Sequence, residues 1–191
     1  MNIIDFLTLL LINMTAGFVL LGFYVYKGII ESNQKKWIPG FLITGFIALI
    51  NGLWIIWNWP LPGSYNIAYG EMSVLFGAIF LGFAVALMKE WEILSVTIYA
   101  IFAGLASITL GLRIINLHMT KEPMLAGIGF ILSGLIAILT YPTALFKNSR
   151  ALRTIVLVII LITAGIWAMT AYPAYWDHLA TFSKWVPSTM K

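Results

Sequence analysis

The chain has 191 residues, of which 61% are hydrophobic and only 9% are charged, and it contains no cysteine. Because a soluble globular domain carries roughly 25% charged residues, this composition excludes a protein whose whole surface faces water. The missing cysteines exclude disulfides and thiolate metal sites. The basic residues behind the net charge of +4 are spread over short connections, which argues against a nucleic-acid-binding patch.

The first hydrophobic run begins almost at Met1 and has neither a basic leader nor a small-residue cleavage site. It therefore predicts a retained span rather than a removed signal peptide. Similar runs of about 20 residues follow, each long enough to cross a hydrocarbon core of about 30 Å. They are continuous rather than alternating, which indicates helices and not a β-barrel. We predict an all-α polytopic membrane protein, a bundle of six transmembrane helices at residues 4–26, 38–57, 72–88, 93–115, 124–144 and 152–172.

The distribution of Lys and Arg predicts the orientation of these spans. Connections one, three and five, with the start of span six, carry seven basic residues: Lys27, Lys35, Lys36, Lys89, Lys147, Arg150 and Arg153. The other end carries four: Arg113, Lys121, Lys184 and Lys191. Since cytoplasmic connections hold the excess of positive charge, we expect a multi-pass protein of the cell membrane with both termini outside.

The end of the chain differs in pattern from the six spans. We predict one transmembrane domain at residues 1–172 and a tail at residues 173–191. A helix through this region would place aromatic and apolar side chains on one face: Tyr172, Tyr175, Trp176, Leu179 and Phe182. This pattern predicts an amphipathic helix that lies on the outer membrane surface.

Small residues recur every four positions in spans two to five. The sets are Gly40, Thr44, Ala48 and Gly52; Ala78, Gly82 and Ala86; Ala103, Ser107 and Gly111; and Gly129, Ser133 and Ala137. Each set lies on one helix face and lets two backbones approach closely. We expect packing within the bundle, with subunit interfaces as the alternative.

Two segments resemble each other at an offset of 89 residues, Phe41–Ile50 (FLITGFIALI) and Phe130–Leu139 (FILSGLIAIL). Three spans per half would leave the halves inverted in the bilayer, as in many transporters. The alternative is a chance match, because apolar segments use a small alphabet. The pattern raises a 3+3 inverted repeat as a hypothesis.

Polar residues predicted at mid-bilayer depth, among them Asn13 and Asn51, are uncharged. This argues against a proton pump or a carboxylate-driven cation transporter, which need titratable groups at depth. Passage of a small neutral polar solute, or no passage at all, is compatible with the pattern.

Ionisable residues collect at the predicted outer ends of the spans, among them Glu71, Arg113, His118 and His178. We expect an outer vestibule there, with a Glu71–Arg113 ion pair between neighbouring helices. The alternative for each residue is an interfacial side chain that reaches the headgroups. Because histidine titrates near pH 6.5, His118 and His178 raise the hypothesis of a response to external acid.

The sequence contains no motif of an enzyme or a cofactor site. The two histidines show neither a His-x-x-x-His nor a His-Glu pairing, and nucleophile–base pairs and phosphate-binding glycine loops are missing. We therefore predict no catalytic activity, no cofactor, no metal and no nucleic-acid partner.

The segment Trp59–Glu71 (WPLPGSYNIAYGE), between spans two and three, resembles the signature of an uncharacterised prokaryotic six-span membrane family, the domain of unknown function 981 type. That resemblance covers essentially the whole chain and implies no established activity. Leu75-Phe76-Gly77 and Phe80, with the length and six spans, are similar to the acid-activated urea channel and amide transporter family. This second resemblance implies a pore lined by aliphatic and aromatic side chains, with Glu71, Leu75 and Phe76 as its best candidates.

Two classes of function follow. The first is a channel or facilitator for a small neutral polar solute, expected to be a homo-oligomer, which selects by pore width and by groups such as Asn13 and Asn51. The second is a structural or accessory subunit of a larger membrane complex, with the small-residue faces and the aromatic tail as docking surfaces. In both classes the partner of the six spans is the lipid bilayer.

Overall fold

A computed structural model describes residues 6–186, and all regular secondary structure in that range is helical. Six long helices are α1 (Phe6–Tyr26), α2 (Ile38–Asn58), α3 (Met72–Met88), α4 (Leu94–Asn116), α5 (Pro123–Leu145) and α6 (Arg150–Thr181). Each is long and apolar enough to cross a membrane. The prediction of an all-α, six-span membrane protein is confirmed. The expected cytoplasmic location of connections one, three and five stays a prediction.

Short irregular elements lie between the long helices. Two 3₁₀ turns, Gly28–Ile30 and Lys35–Trp37, fold the first connection, and a π-helix, Asn66–Glu71, leads directly into α3. Trp59 directly follows the last residue of α2, has a left-handed φ of 46°, and donates its N–H to the Ile55 carbonyl. Proline occupies the first turn of α5, where its missing N–H has no helical partner to lose.

The six helices form a closed ring in chain order, and α6 packs against α1. Three antiparallel pairs within the ring are tight: α2 with α3, α4 with α5, and α6 with α1. At the three seams between the pairs, α1–α2, α3–α4 and α5–α6, fewer residues of one helix lie close to the backbone of the other. The fold is thus three helix pairs arranged around one axis.

Each pair contributes one inner and one outer helix. The most apolar windows of α1, α3 and α5 are 44, 56 and 50% buried, whereas those of α2, α4 and α6 are each 33% buried. The outer helices expose large apolar side chains such as Phe46, Phe102 and Ile155. A surface of this kind fits hydrocarbon and not water.

Glycines hold two of the pairs together at backbone distance. A Cβ added at Gly134 of α5 would lie 2.4 Å from the Gly104 carbonyl oxygen of α4, and one at Gly77 of α3 would lie 2.6 Å from the Leu49 nitrogen of α2. Residues with side chains would force these helices apart. Gly52 and Gly111, members of the small-residue sets, likewise face their pair partners and form intramolecular contacts.

The packing does not follow the hypothetical 3+3 inverted repeat. An offset of 89 residues relates α1–α2 to α4–α5, but α4–α5 is the tightest pair and α1–α2 is a loose seam. The two similar segments instead share a local role. Gly45 packs on α3 and Gly134 packs on α4, so each segment supplies a glycine to a tight helix pair. The common local constraint explains the similarity without a repeat.

Helix α6 does not end near residue 172, as the span bounds predicted, but continues through Pro173 to Thr181. The proposed domain boundary therefore falls inside one continuous helix. His178 Nδ1 lies 3.0 Å from Thr8 Oγ1, so this part of the predicted surface tail packs beside the first turn of α1. At 1.5 Å per residue, 32 residues span about 48 Å, more than the hydrocarbon thickness requires. Residues 187–191 of the predicted tail lie outside the described part of the chain.

Candidate functional site: the axis of the helix ring

The inner helices α1, α3 and α5 surround a series of three spaces along the axis of the ring. The first opens at the end that carries connections one, three and five, which we call the basic end. Two small voids follow toward the other end, which we call the termini end. The residues that line the spaces occur in the same order along all three inner helices. All three inner helices therefore contribute to the axis.

The space at the basic end, the vestibule, consists of two adjoining cavities of about 410 and 370 Å³ that share Gln34, Glu90 and Trp91. Tyr24 lies at its floor and is buried. The Tyr24 hydroxyl donates to Gln34 Oε1 at 2.8 Å, and Gln34 Nε2 donates to the Ile29 and Glu31 carbonyls at 3.3 Å each. Gln34 thus connects the floor of the vestibule to the first connection.

Ion pairs stabilise the rim of the vestibule. Lys35 Nζ lies 2.7 Å from Glu90 Oε1, which joins the first connection to the third. The hydrogen bond from Lys35 lowers the pKa of Glu90. Glu31 accepts from Lys36 Nζ at 2.9 Å and from Trp37 Nε1 at 3.0 Å, and these two bonds lower the pKa of Glu31. Both carboxylates therefore stay charged at neutral pH.

An aromatic layer closes the axis below the vestibule. The Phe41 ring lies 5.2 Å from the Tyr24 ring, 5.9 Å from that of Phe80 and 5.6 Å from that of Phe83, measured between centroids. The middle void, of about 20 Å³, lies beyond this layer and is lined by Phe18, Leu21, Phe76, Ile79, Phe80, Phe83, Ala100, Ile136, Ala137 and Thr140. Because its exposed lining is apolar, a void of this kind is dry.

The distal void, also about 20 Å³, lies nearer the termini end. Its aromatic wall is a chain of edge contacts, with centroids 5.7 Å apart from Tyr69 to Phe130 and 5.1 Å apart from Phe130 to Trp167. Trp167 Nε1 donates to Ser133 Oγ at 3.0 Å, and Ser107 Oγ donates to the Phe130 carbonyl at 2.7 Å. These buried hydrogen bonds fix the rings that close the void.

The segment Trp59–Glu71 covers the termini end of the axis. Asn66 is fully buried, and its amide bonds to both backbone groups of Leu61 and to the Gly63 carbonyl. The Tyr65 hydroxyl accepts from the Thr120 N–H at 2.7 Å, which ties this segment to the fourth connection. Thr120 has a φ of 73°, a strained value for a β-branched residue. The segment is thus a folded cap rather than a loose loop.

Asn13 and Asn51 do not line the three spaces. Asn13 is buried, and its Nδ2 donates to the Thr44 carbonyl of α2 at 2.9 Å. Asn51 Nδ2 donates to the Ile47 carbonyl one turn earlier, at 2.8 Å. Both amides therefore satisfy helix carbonyls in a medium where an unpaired polar group is costly.

The residues expected to form an outer vestibule do not come together in one space. Glu71, Arg113 and His118 are exposed, and Arg113 Nη1 donates to Asn116 Oδ1 at 2.8 Å. The two ion pairs found within residues 6–186 are Lys35–Glu90 and Lys36–Glu31, so the Glu71–Arg113 pair is not formed. His178 lines a groove on the flank of the bundle with Leu9 and Ile12 of α1, so it is separate from the axis.

Of the two candidates from the third span, Phe76 lines the middle void and Leu75 is half-buried beside it. Sequence reasoning missed the floor and rim of the vestibule, namely Tyr24, Gln34 and Glu90. Gln34 follows two other uncharged polar residues, Ser32 and Asn33, so its residue type alone did not single it out. Glu90 has a left-handed φ of 57° in the five-residue connection 89–93, and the sequence does not predict this backbone conformation.

The side chains along the axis can bind a small solute and exclude larger or charged ones. Between the vestibule and the cap, the lining groups are aromatic, aliphatic, methionine and hydroxyl side chains. Within residues 6–186, no three His, Cys, Asp or Glu side chains gather closely enough to hold a metal ion.

Comparison with known proteins adds one finding. A family model described as a protein of unknown function, DUF981, matches residues 1–181. This match confirms the resemblance carried by the segment Trp59–Glu71. No curated protein and no solved structure matches the chain, and the resemblance to urea channels gains no support from these comparisons.

Proposed function

We propose that this chain, which belongs to the DUF981 family of proteins of unknown function, is a channel or facilitator for a small neutral polar solute of the urea or amide type. The observation that carries the proposal is the succession of vestibule, middle void and distal void on the axis of a closed helix ring. α1, α3 and α5 each line these spaces in the same order, as the walls of one pathway would.

The lining supports a neutral solute. Past the vestibule, the polar side chains on the two voids are the hydroxyls of Ser73, Thr140 and Tyr69. A charged solute would lose its hydration there without a counter-charge, which costs several kcal/mol or more. A neutral amide needs only a few hydrogen bonds and can slide along aromatic faces.

The conformation described here is closed. Each void measures about 20 Å³, room for about one water molecule and too little for urea, an amide or glycerol. Passage therefore requires displacement of the aromatic layer at Tyr24 and Phe83, between vestibule and middle void. Rotamer changes of such rings, coupled to small helix shifts, are of the kind that gate narrow pores by dewetting.

Stopped-flow light scattering on proteoliposomes tests the proposal directly. Vesicles with the wild-type protein should re-swell in urea, acetamide or glycerol faster than protein-free vesicles. With an ionic solute instead, the two kinds of vesicle should re-swell at the same rate. Because the rest state is closed, a variant that opens the layer sharpens the test. Phe83→Ala removes a ring that is 2% exposed and stands between the first two spaces, and it should raise the solute flux above that of the wild type.

Phe102→Ala is the matched control, because Phe102 is 68% exposed on the lipid face of α4. It removes the same atoms away from the axis and should leave the flux unchanged. If folded wild type and folded Phe83→Ala both conduct at the protein-free rate, the facilitator proposal is wrong. Co-purification of the intact protein with large membrane partners would then favour the alternative, an accessory subunit. Oligomeric assembly remains part of the proposal and is read from the mass of the detergent complex.

A further inference from the structure

Arg153 is a buried cation near the start of α6. Its side chain is 7% exposed, and within residues 6–186 it makes one hydrogen bond, from Nη1 to the Tyr26 carbonyl at the end of α1. The guanidinium carbon lies 5.9 Å from the centre of the Tyr26 ring. The Nε atom is buried and has no hydrogen-bond partner in the described part of the chain. The protein therefore leaves part of this guanidinium unsatisfied.

No carboxylate of residues 6–186 forms an ion pair with Arg153. Glu31, the acid that follows α1 most closely, is already bound to Lys36 and Trp37. The surroundings add positive charge instead. Lys27 follows Tyr26 directly, Arg150 lies one turn before Arg153, and the N-terminus of α6 adds its partial positive charge. A buried charge without a counter-ion is costly, so an external anion would be stabilising here.

We propose that Arg153, with Arg150 and Lys27, binds the headgroup phosphate of an anionic lipid at the seam between α1 and α6. Arginine suits this role because its planar donors match phosphate oxygens two at a time. Basic pockets between transmembrane helices on the cytoplasmic side are known to hold anionic headgroups.

The position of the site favours a lipid over free phosphate. Tyr26 and Arg153 lie where α1 ends and α6 begins, at the level expected for headgroups. Phe23 and Ile155, within one turn of these residues, are 51 and 58% exposed. They offer an apolar surface to acyl chains immediately next to the basic cluster. Free phosphate would use the cations but not this surface.

Thermal unfolding of the purified protein in neutral detergent tests the proposal, with phosphatidylglycerol, phosphatidylcholine or inorganic phosphate as additive. A ligand that binds the folded state raises Tm. We expect phosphatidylglycerol to raise Tm and the other two additives to have little effect. Arg153→Gln should lose most of the shift. Since that variant also removes the bond to Tyr26, the double variant Lys27→Gln/Arg150→Gln provides a test that leaves the bond intact, and it too should lose most of the shift.

Arg113→Gln is the matched control, because Arg113 is an exposed arginine at the termini end that bonds to Asn116. It should keep the full shift. The proposal is overturned if the double variant responds to phosphatidylglycerol like the wild type, or if Arg113→Gln loses the shift equally. An equal rise in Tm with phosphatidylcholine would show a nonspecific lipid effect, and an equal rise with inorganic phosphate would exclude the lipid as the ligand.

Discussion

Gly134→Ala is the sharpest test of how the bundle is held together. The added Cβ would lie 2.4 Å from the Gly104 carbonyl oxygen and 3.1 Å from the Ile108 nitrogen, both in the backbone of α4. Ordinary contacts of this kind begin at 3.4 Å, so α4 and α5 would have to separate by the difference, about 1 Å. No side-chain rotation can relieve a clash with backbone atoms. The separation would extend along the tightest pair in the structure.

The cost can be bounded by comparison with a second glycine. Overpacking that shifts backbone costs about 1–3 kcal/mol, whereas Gly to Ala within a helix gains up to about 1 kcal/mol from propensity. Gly165 of α6 has no atom within 4 Å of its added Cβ. Gly165→Ala should therefore show the gain alone. The two variants should differ in free energy of unfolding by about 1–3 kcal/mol, with Gly134→Ala the less stable.

Reversible unfolding in mixed micelles titrated with dodecyl sulfate, followed by far-UV circular dichroism, measures this difference. The mass of the detergent complex should be the same for both variants and the wild type. Equal stability of Gly134→Ala and Gly165→Ala would refute the intramolecular packing described here. A change of mass in Gly134→Ala without a change in unfolding would show that the small-residue face joins subunits.

Two further predictions concern the two ends of the axis. Because the pKa of Glu90 is lowered, its pair with Lys35 should persist above the ordinary glutamate pKa of about 4.3 and be lost as pH falls through its lower folded value. A nitroxide on Asn33→Cys should become mobile only at that acidic pH, whereas adding Glu90→Gln should make it mobile at neutral pH; unchanged mobility in both cases would contradict the role of the pair. At the other end, Asn66→Ala should destabilise the cap by about 1–3 kcal/mol, since it removes three part-buried hydrogen bonds to the Leu61 and Gly63 backbone. Asn58→Ala, which removes an exposed amide bonded only to its own helix, should have little effect on unfolding in the same assay.

The spans could be predicted closely because the bilayer imposes a length and excludes charge. The predicted bounds 72–88 coincide with α3, and four other spans differ from their helices by at most two residues at either end. The exception is the end of α6, where Pro173 and the aromatic residues after it were interpreted as the start of a separate tail. A proline removes one donor and strains one carbonyl, but a helix of this length continues through it when the next turns are packed. Here the contact of His178 with Thr8 supplies that packing.

The axis could not be predicted, because hydropathy does not separate the core of this protein from its lipid-facing surface. Phe83 is 2% exposed and Phe102 is 68% exposed, yet both are phenylalanines in apolar spans. In a soluble bundle the outward residue would be polar and the inward face would be evident. The ionisable residues Glu71, Arg113 and His118 attracted attention because charge is rare in these spans, but they lie on the exposed surface. The spacing of small residues did indicate faces that pack inside the bundle, because close helix packing depends on side-chain size rather than on polarity.

The same packing indicates where the ring would open. Within α2–α3 and α4–α5, glycines place backbone against backbone, so these pairs resist separation. Across the seams, glycines meet side chains instead. Gly82 of α3 faces Val96 of α4, and Gly129 of α5 faces Ile166 of α6, both at 3.1 Å or more, while Gly40 of α2 faces the flexible Leu20 side chain of α1 at 2.8 Å. Side chains can change rotamer, whereas backbone contacts cannot adjust without moving a whole helix. We therefore expect α2–α3 and α4–α5 each to move as a rigid body, with the axis widening at the seams and the aromatic layer at Tyr24 and Phe83 parting as they separate.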